Sequence, residues 1–493
     1  MFWTLGFDYA TFIISILTFL LCYYMLRRPK NFPPGPQGLP IVGYVPFIAK
    51  NPAESLQKMK KTYGPIMSIQ FGRKFWVILN DYDLINQALV KQSEKFSGRP
   101  KNFVFNLLFG QRGIIFQDYG PTWKALHKFG LTTLRGFGVG KKGMEENIIE
   151  ETHLLIENLT TKNTQSLQLK LMLASSNIIC RIVFGSRFGY SNKRLLHMLD
   201  IVRKFTGNCP EANMLALVTL VSILRFIPPF SGVVKLISSE AKTMSEYLQD
   251  IIKEHESTFD EHRLRDFTDA FLKEIKDDKN DDSIFNKLQL IQYITDLFDA
   301  GSATTSSTMG WALLCFVHYP ECQEKIAMEI AKTLGEDGVP SMKDRMEMPY
   351  TCAFIQELMR HRTLSPLAMH KTDGEAILYG YTIPKNTTVC PNLWAVHHDS
   401  DYFINPDEFR PERFLDRDGK FVKSCHVIPF SVGPRRCLGE QLARMQIFLF
   451  ITGIVQKQRV VPDPENPIPS FYEGGKSIAS YEPPNFEVCF KKR

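Results

Sequence analysis

The stretch Phe430-Ser-Val-Gly-Pro-Arg-Arg-Cys-Leu-Gly439 sets one cysteine among two glycines and two arginines. A thiolate is a strong electron donor and a good ligand for haem iron, and the sulfur's charge must be held in a tight backbone loop. Gly433 and Gly439 are expected to permit unusual dihedrals and close approach there. Arg435, two residues before the sulfur, offers a planar fork suited to an anion such as a haem propionate. A helical pattern opens at Leu438-Gly439-Glu440-Gln441-Leu442, whose N-terminus would turn partial positive charge toward Cys437. An isolated cysteine in apolar surroundings is ordinarily inert packing. These flanks argue otherwise.

The pattern F-x-x-G-x-R-x-C-x-G, filled by Phe430, Gly433, Arg435, Cys437 and Gly439, resembles the haem-ligand loop of cytochromes P450. Other segments agree. Glu357-Leu-Met-Arg360 resembles the family's E-x-x-R helix, its two side chains sharing one face. Pro411-Glu-Arg413-Phe414 resembles the motif whose arginine joins that pair, which would make a buried charge network. Ala300-Gly301-Ser-Ala-Thr304-Thr305 resembles the oxygen-binding segment, where small residues admit dioxygen and Thr304 would relay protons. Here the sequence departs from the family, because Ala303 stands at its acid position; Asp299 lies one turn earlier on the same face. Trp123-Lys-Ala-Leu-His127 resembles the propionate-binding W-x-x-x-R, with His127 in the arginine's place. Arg99 of Phe96-Ser-Gly-Arg99 and His370 of Leu367-Ala-Met-His370 match further propionate positions. Pro33-Pro-Gly-Pro, Phe184-Gly-Ser-Arg-Phe188, Arg265-Asp-Phe-Thr-Asp269 and Asn392-Leu-Trp394 resemble microsomal members of family 2.

Large structure must position these residues. With 493 residues, 44% hydrophobic and 23% charged, the chain has the composition of a globular protein able to bury a sizeable core. A net charge of +7 is mild at this length and does not demand nucleic acid. Ten cysteines without a C-x-x-C pair argue against zinc modules and a disulfide framework. Tyr9–Leu26 carries no charge, is long enough to span a bilayer core of about 30 Å, and is followed by Arg27, Arg28 and Lys30. It reads as a retained anchor with the C-terminal side cytosolic. Phe32–Gly43 reads as a proline-rich spacer. The expected organisation is therefore an anchor over 1–26, a basic and proline-rich linker over 27–50, and a catalytic domain over 51–493. Ser68–Phe71 and Phe75–Leu79 predict a hairpin. Leu288–His318 predicts a long buried helix that Pro320 limits. Lys273–Lys287 reads as a solvated loop, and Ile377–Val389 as short strands. The fold class expected is mainly α with small β-sheets, the cytochrome P450 fold on one transmembrane helix.

The resemblance implies a monooxygenase of the endoplasmic reticulum membrane with haem b, Cys437 as iron ligand and Thr304 as proton relay. Electrons would come from NADPH-cytochrome P450 reductase, with cytochrome b5 as a second partner. One atom of dioxygen would enter a lipophilic substrate: a fatty acid, steroid or xenobiotic. Five Lys or Arg and no acid between Trp123 and Lys142 suggest a face for an acidic reductase. Apolar segments Asn102–Phe116 and Cys209–Phe230 read as pocket-lining loops. Two alternatives stay open: a P450-type lipid peroxide isomerase, which Ala303 motivates, and a haem-binding membrane protein without turnover.

Overall fold

Asn286 accepts the N–H of Gln289 and so starts the central helix, Lys287–His318. Pro320 opens the next helix, Pro320–Leu334, directly beyond it. The central helix thus begins one residue before the expected start, and it is not apolar all round. Ala300 and Thr304 are exposed at mid-helix, although most side chains from Thr305 onward are buried, notably Met309 to Phe316. Leu167–Phe184 packs along the opposite side. A Cβ on Gly301 would run into Ile179 Cδ1, so glycine sets how near the two helices lie.

The computed structural model describes residues 4–48, 51–160, 165–207, 209–277, 283–335, 338–474 and 480–493. Two described helices are long and apolar enough to cross a membrane. They differ in burial: Leu167–Phe184 is 83% buried within the body, whereas Tyr9–Leu26, inside the helix Thr4–Leu26, is 0% buried. The first is a core helix. The second leaves its apolar surface for something else to cover.

The small sheets are as expected. Strands β1 (Ile66–Phe71) and β2 (Lys74–Leu79) form an antiparallel hairpin. It joins β3 (His370–Lys371) and β6 (Thr388–Pro391) in the order β1-β2-β6-β3, with β2 and β6 parallel. Between them, β4 (Ala376–Leu378) pairs with β5 (Tyr381–Ile383), and near the C-terminus β7 (Gln458–Pro462) pairs with β8 (Val488–Lys492). The fold is mainly α with small sheets.

Three expectations about connections need correction. Lys273–Asp277 belongs to the helix Phe267–Asp277, because Phe267, Phe271 and Leu272 bury one face while the charges occupy the other. Asn102–Phe116 contains the helix Phe103–Phe109, and Cys209–Phe230 contains Pro210–Leu220, each begun by a side-chain cap from Asn102 or Cys209. Val104, Leu215, Val218 and Ile237 pack together, so part of the apolar content credited to a ligand is spent between these segments. The proline-rich stretch lies on the sheet instead of standing off it. Ser68 donates N–H to Pro34 O at 2.7 Å and its hydroxyl to Pro33 O at 2.7 Å, and Phe32 is buried.

Candidate active site

The cysteine loop is built from the turn upward. Gly433 has φ +81°, and a Cβ there would run into Leu89 O, so both backbone and neighbour require glycine. Gly439 does not use that freedom. Its φ is an ordinary −88°, and its contribution is a backbone N–H directed at the sulfur. Cys437 N–H closes the loop on Phe430 O at 2.9 Å, and the helix Glu440–Lys457 follows at once. Arg444 lies over the Phe430 ring with Cζ 4.9 Å from its centroid, holding the loop's entry against that helix.

Cys437 is exposed by area, yet burial pushes its thiol pKa up despite the Gly439 N–H. The sulfur is accessible while protein surrounds it on most sides, which is what desolvates the thiol. Ala300 and Thr304 give the central helix a matching open face. The Thr304 hydroxyl donates to Ala300 O at 2.7 Å. Ala303 is half-buried against the core, and Gly301 points toward Ile179, so neither lies on that open face with Ala300 and Thr304. Gly301 acts in helix packing.

Three of the predicted anion-binding residues, Arg435, Arg99 and Trp123, share acceptors on the strip 114–117, with further acceptors at Ser97 and Met369. Arg435 donates from Nε to Ser97 O (2.9 Å), from Nη1 to Ile114 O (3.3 Å) and from Nη2 to Gln117 O. Arg99 donates from Nε to Ile115 O (2.9 Å) and from Nη1 to Met369 O (2.6 Å). Trp123 gives its indole N–H to Ile114 O at 3.1 Å and stacks beneath Arg435, whose Cζ is 4.3 Å from the ring. His127 stacks on Trp123 at 4.5 Å. Burial, then Arg435 and Arg436, lower the His127 pKa, so this histidine does not replace the charge of an arginine.

Among the described residues, no carboxylate bonds to either guanidinium; Asp118 instead holds Lys101 and Lys371, and takes only the backbone N–H of Arg99. Burial, then the Arg99 charge, brings Arg435 down to about 8, and burial brings Arg99 to about 10. His370 is held well below its usual range by burial and by the same two arginines. It sets Nδ1 against Phe96 O at 2.9 Å, so the neutral ring carries its proton there. A buried cation, Arg435, and a half-buried one, Arg99, neither paired by a described carboxylate, the former lying two residues before a desolvated yet accessible sulfur, fit a flat iron-bearing group with two carboxylates.

Sequence reasoning missed the residue that fixes this strip. Asp296, 1% exposed, accepts from Ile114 N–H (2.6 Å) and Ile115 N–H (3.0 Å) through Oδ2 and from Gln292 through Oδ1. Burial raises it to about 6. Three residues on, Asp299 has a buried Oδ1 with no hydrogen-bond partner among the described residues, and burial, Asp296 and Glu482 raise its pKa to about 7. Two acids on one long helix gave no signal that the first of them reaches a loop 182 residues back.

The E-x-x-R elements meet as expected. Glu357 takes Arg360 through both oxygens at 2.7 and 2.8 Å and Arg413 Nε at 3.1 Å, with both side chains of the Glu357–Arg360 pair fully buried. Arg413 also donates to Ile404 O and Glu408 O. Removing one partner from such a group costs about 3–5 kcal/mol. Elsewhere, His255, Asp266 and Asp269 bring possible metal ligands within 4.8 Å of one another. Arg265 forks onto Asp269 and His255 bonds to Asp266, so the cluster's ligand atoms are already engaged by protein partners.

Residues 33–490 fit the family model described as Cytochrome P450. The chain belongs to that family and is a haem-thiolate monooxygenase, an oxidoreductase that uses dioxygen and a redox partner. It is similar to Cytochrome P450 2J3 of Rattus norvegicus, with 38% identity covering 90% of this chain and 89% of the relative. It is 35% identical to Cytochrome P450 2U1 of Bos taurus, covering 98% and 93% of the two chains. Cytochrome P450 2C8 of Homo sapiens is also 35% identical, over 97% of this chain and 98% of its own.

Proposed function

We propose that this protein oxygenates a lipophilic substrate, a fatty acid, steroid or xenobiotic, at the endoplasmic reticulum membrane. Residues 1–26 anchor it, 27–50 form the basic and proline-rich connection, and 51–493 form the catalytic domain facing the cytosol. Haem b is the cofactor, and NADPH-cytochrome P450 reductase supplies electrons, with cytochrome b5 as a second donor. When bound, the haem supplies dioxygen activation and oxygen insertion into the substrate. Cys437 ligates its iron. Arg435 and Arg99 neutralise its propionates, with Trp123, His127 and His370 shaping that end; Phe430 and Gly439 hold the sulfur loop. Ala300 keeps the open face of the central helix slim, Gly301 sets that helix against Ile179, and the Thr304 hydroxyl, exposed on the Ala300 face, would hold and pass a proton. Exposed Lys124, Lys128, Arg135, Lys141 and Lys142, with Arg436 beside the cysteine, support a basic docking face for the reductase.

The observation that carries this reading is the desolvated yet accessible Cys437 sulfur, two residues beyond an arginine that, like Arg99, no described carboxylate neutralises. The test is NADPH consumption and product formation with purified reductase, alongside the reduced carbon monoxide spectrum. Substrate-dependent NADPH consumption is expected, and Cys437→Ser should abolish the red-shifted Soret band. Ala303 favours one rival, a lipid peroxide isomerase that needs no acid on this helix. Conversion of lipid peroxides without NADPH would establish that rival, and silence in both assays would leave a binder.

A further inference from the structure

The end of the apolar helix and the β1–β2 turn enclose a cleft of about 590 Å³. Its cations are Arg27, Arg28, Lys30 and Arg73, and no carboxylate among the described residues lines it. None of these four side chains makes an ion pair among the described residues, and Arg27, Lys30 and Arg73 are exposed. Arg28 is spent partly on structure, donating through Nη2 to Gly35 O (2.6 Å) and Pro36 O, with its guanidinium 5.7 Å from the Phe75 ring. Its Nε is buried and has no partner among the described residues. Gln70 on β1 donates to Met25 O at 3.2 Å, so the helix end and the turn bearing Arg73 are tied together.

Like charges gathered around one opening repel each other unless an anion joins them. The position of the cleft identifies the source of that anion. If Tyr9–Leu26 crosses the hydrocarbon layer, the residues that follow it stand at headgroup depth, on the side where anionic lipids attract basic segments. The rest of the lining includes Tyr24, Met25 and Phe75, an apolar and aromatic floor. Cations above such a floor match an amphiphile whose phosphate leads into its glycerol esters and acyl chains. A soluble phosphate would leave that floor uncovered.

We propose that this cleft binds the headgroup of an anionic membrane phospholipid, with its phosphate held by Arg27, Lys30, Arg73 and the free Nε of Arg28. The proposal rests on the anchor reading given above. The test uses full-length, haem-loaded protein in nanodiscs of phosphatidylcholine with a minor fraction of phosphatidylserine. Lipids retained on release from the disc are counted by native mass spectrometry. The wild type should retain phosphatidylserine several-fold above its bulk share. Arg27→Gln combined with Arg73→Gln should return retention to that share, with the Soret spectrum unchanged and flotation on phosphatidylcholine vesicles intact. Flotation without phosphatidylserine enrichment, or enrichment equal in wild type and variant, overturns the headgroup site alone. Failure of the wild type to float overturns the anchor and this proposal together. Displacement of the retained lipid by inorganic phosphate, but not by chloride of matched ionic strength, would make it a soluble-phosphate site and overturn the lipid assignment.

Discussion

His397 Nε2 accepts the backbone N–H of Ile428 at 2.8 Å, linking the E-x-x-R network to the start of the cysteine loop. Since an N–H must donate, Nε2 is bare and the ring proton sits on Nδ1, 2.6 Å from Thr363 Oγ1. The His397 carbonyl meanwhile accepts Arg360 Nη1 at 2.6 Å. One residue therefore reads the charge network on one side and positions the metal-binding loop on the other.

His397→Ala leaves a buried N–H without an acceptor, a loss of about 1–3 kcal/mol. A lower melting temperature and faster haem loss are expected. The pH dependence has a definite sign. Burial and Arg360 hold the folded pKa at about 3, below the unfolded value of about 6.5. The unfolded chain therefore binds the extra proton, and stability falls as pH drops between those values. The variant should lose less stability across that window; an unchanged acid profile would refute the assignment.

Burial and the Arg99 charge push the Arg435 pKa down from the ordinary arginine value, so holding this cation in the protein is costly until an anion binds beside it. Haem titrations of the apoprotein should therefore show weak binding in Arg435→Leu. Undiminished haem affinity in that variant would remove Arg435 from anion recognition.

Asp299 and Ala303 define a test of proton delivery. With Asp299 at about 7, its protonated form declines through neutrality, and product per NADPH should fall with it while released peroxide rises. Asp299→Asn should flatten that profile. It should also gain stability relative to wild type as pH rises from about 4 to about 7, since the raised carboxyl costs stability across that interval. Ala303→Glu should increase product per NADPH, after haem content is checked. If neither change alters the product-to-peroxide ratio, this helix does not relay through an acid.

Asp296→Ala removes the acceptor for two backbone N–H groups on the strip that carries Arg99, Trp123 and Arg435. The expected result is lower haem content and faster proteolysis near Gly113, with the far helices unaffected. Normal haem retention in the purified variant would show that the strip holds its shape unaided.

What the sequence made legible depended on how far apart the partners lie. The cysteine loop and Glu357–Arg360 are local, so spacing alone dictates which side chains meet. The hairpin β1–β2 is likewise short-range. Asp296 and His397 were invisible because their partners, Ile114 and Ile428, lie 182 and 31 residues away and are backbone groups with no residue signature. Gly439 and Gly301 illustrate a subtler limit. Composition marked both as small, but only the folded chain tells that one donates an N–H and the other admits Ile179. Charge at Lys273–Asp277 suggested a loop because three apolar residues on the hidden face were outvoted by polar neighbours.

The parallel pairing of Trp76–Leu79 with Thr388–Pro391 has a consequence in time. The hairpin leaves the ribosome early, close behind the segment that would tether it to the membrane. Its third strand arrives roughly 300 residues later, on the order of 15–60 s at typical synthesis rates of about 5–20 residues per second. Cys437 is later still. Throughout that interval β2 presents an open edge, and the exposed Lys74 at its start is the kind of charge that discourages a neighbouring chain from pairing first. The sulfur and the sheet that backs it are thus finished only near the end of synthesis, which makes cofactor capture one of the last events in this protein's assembly.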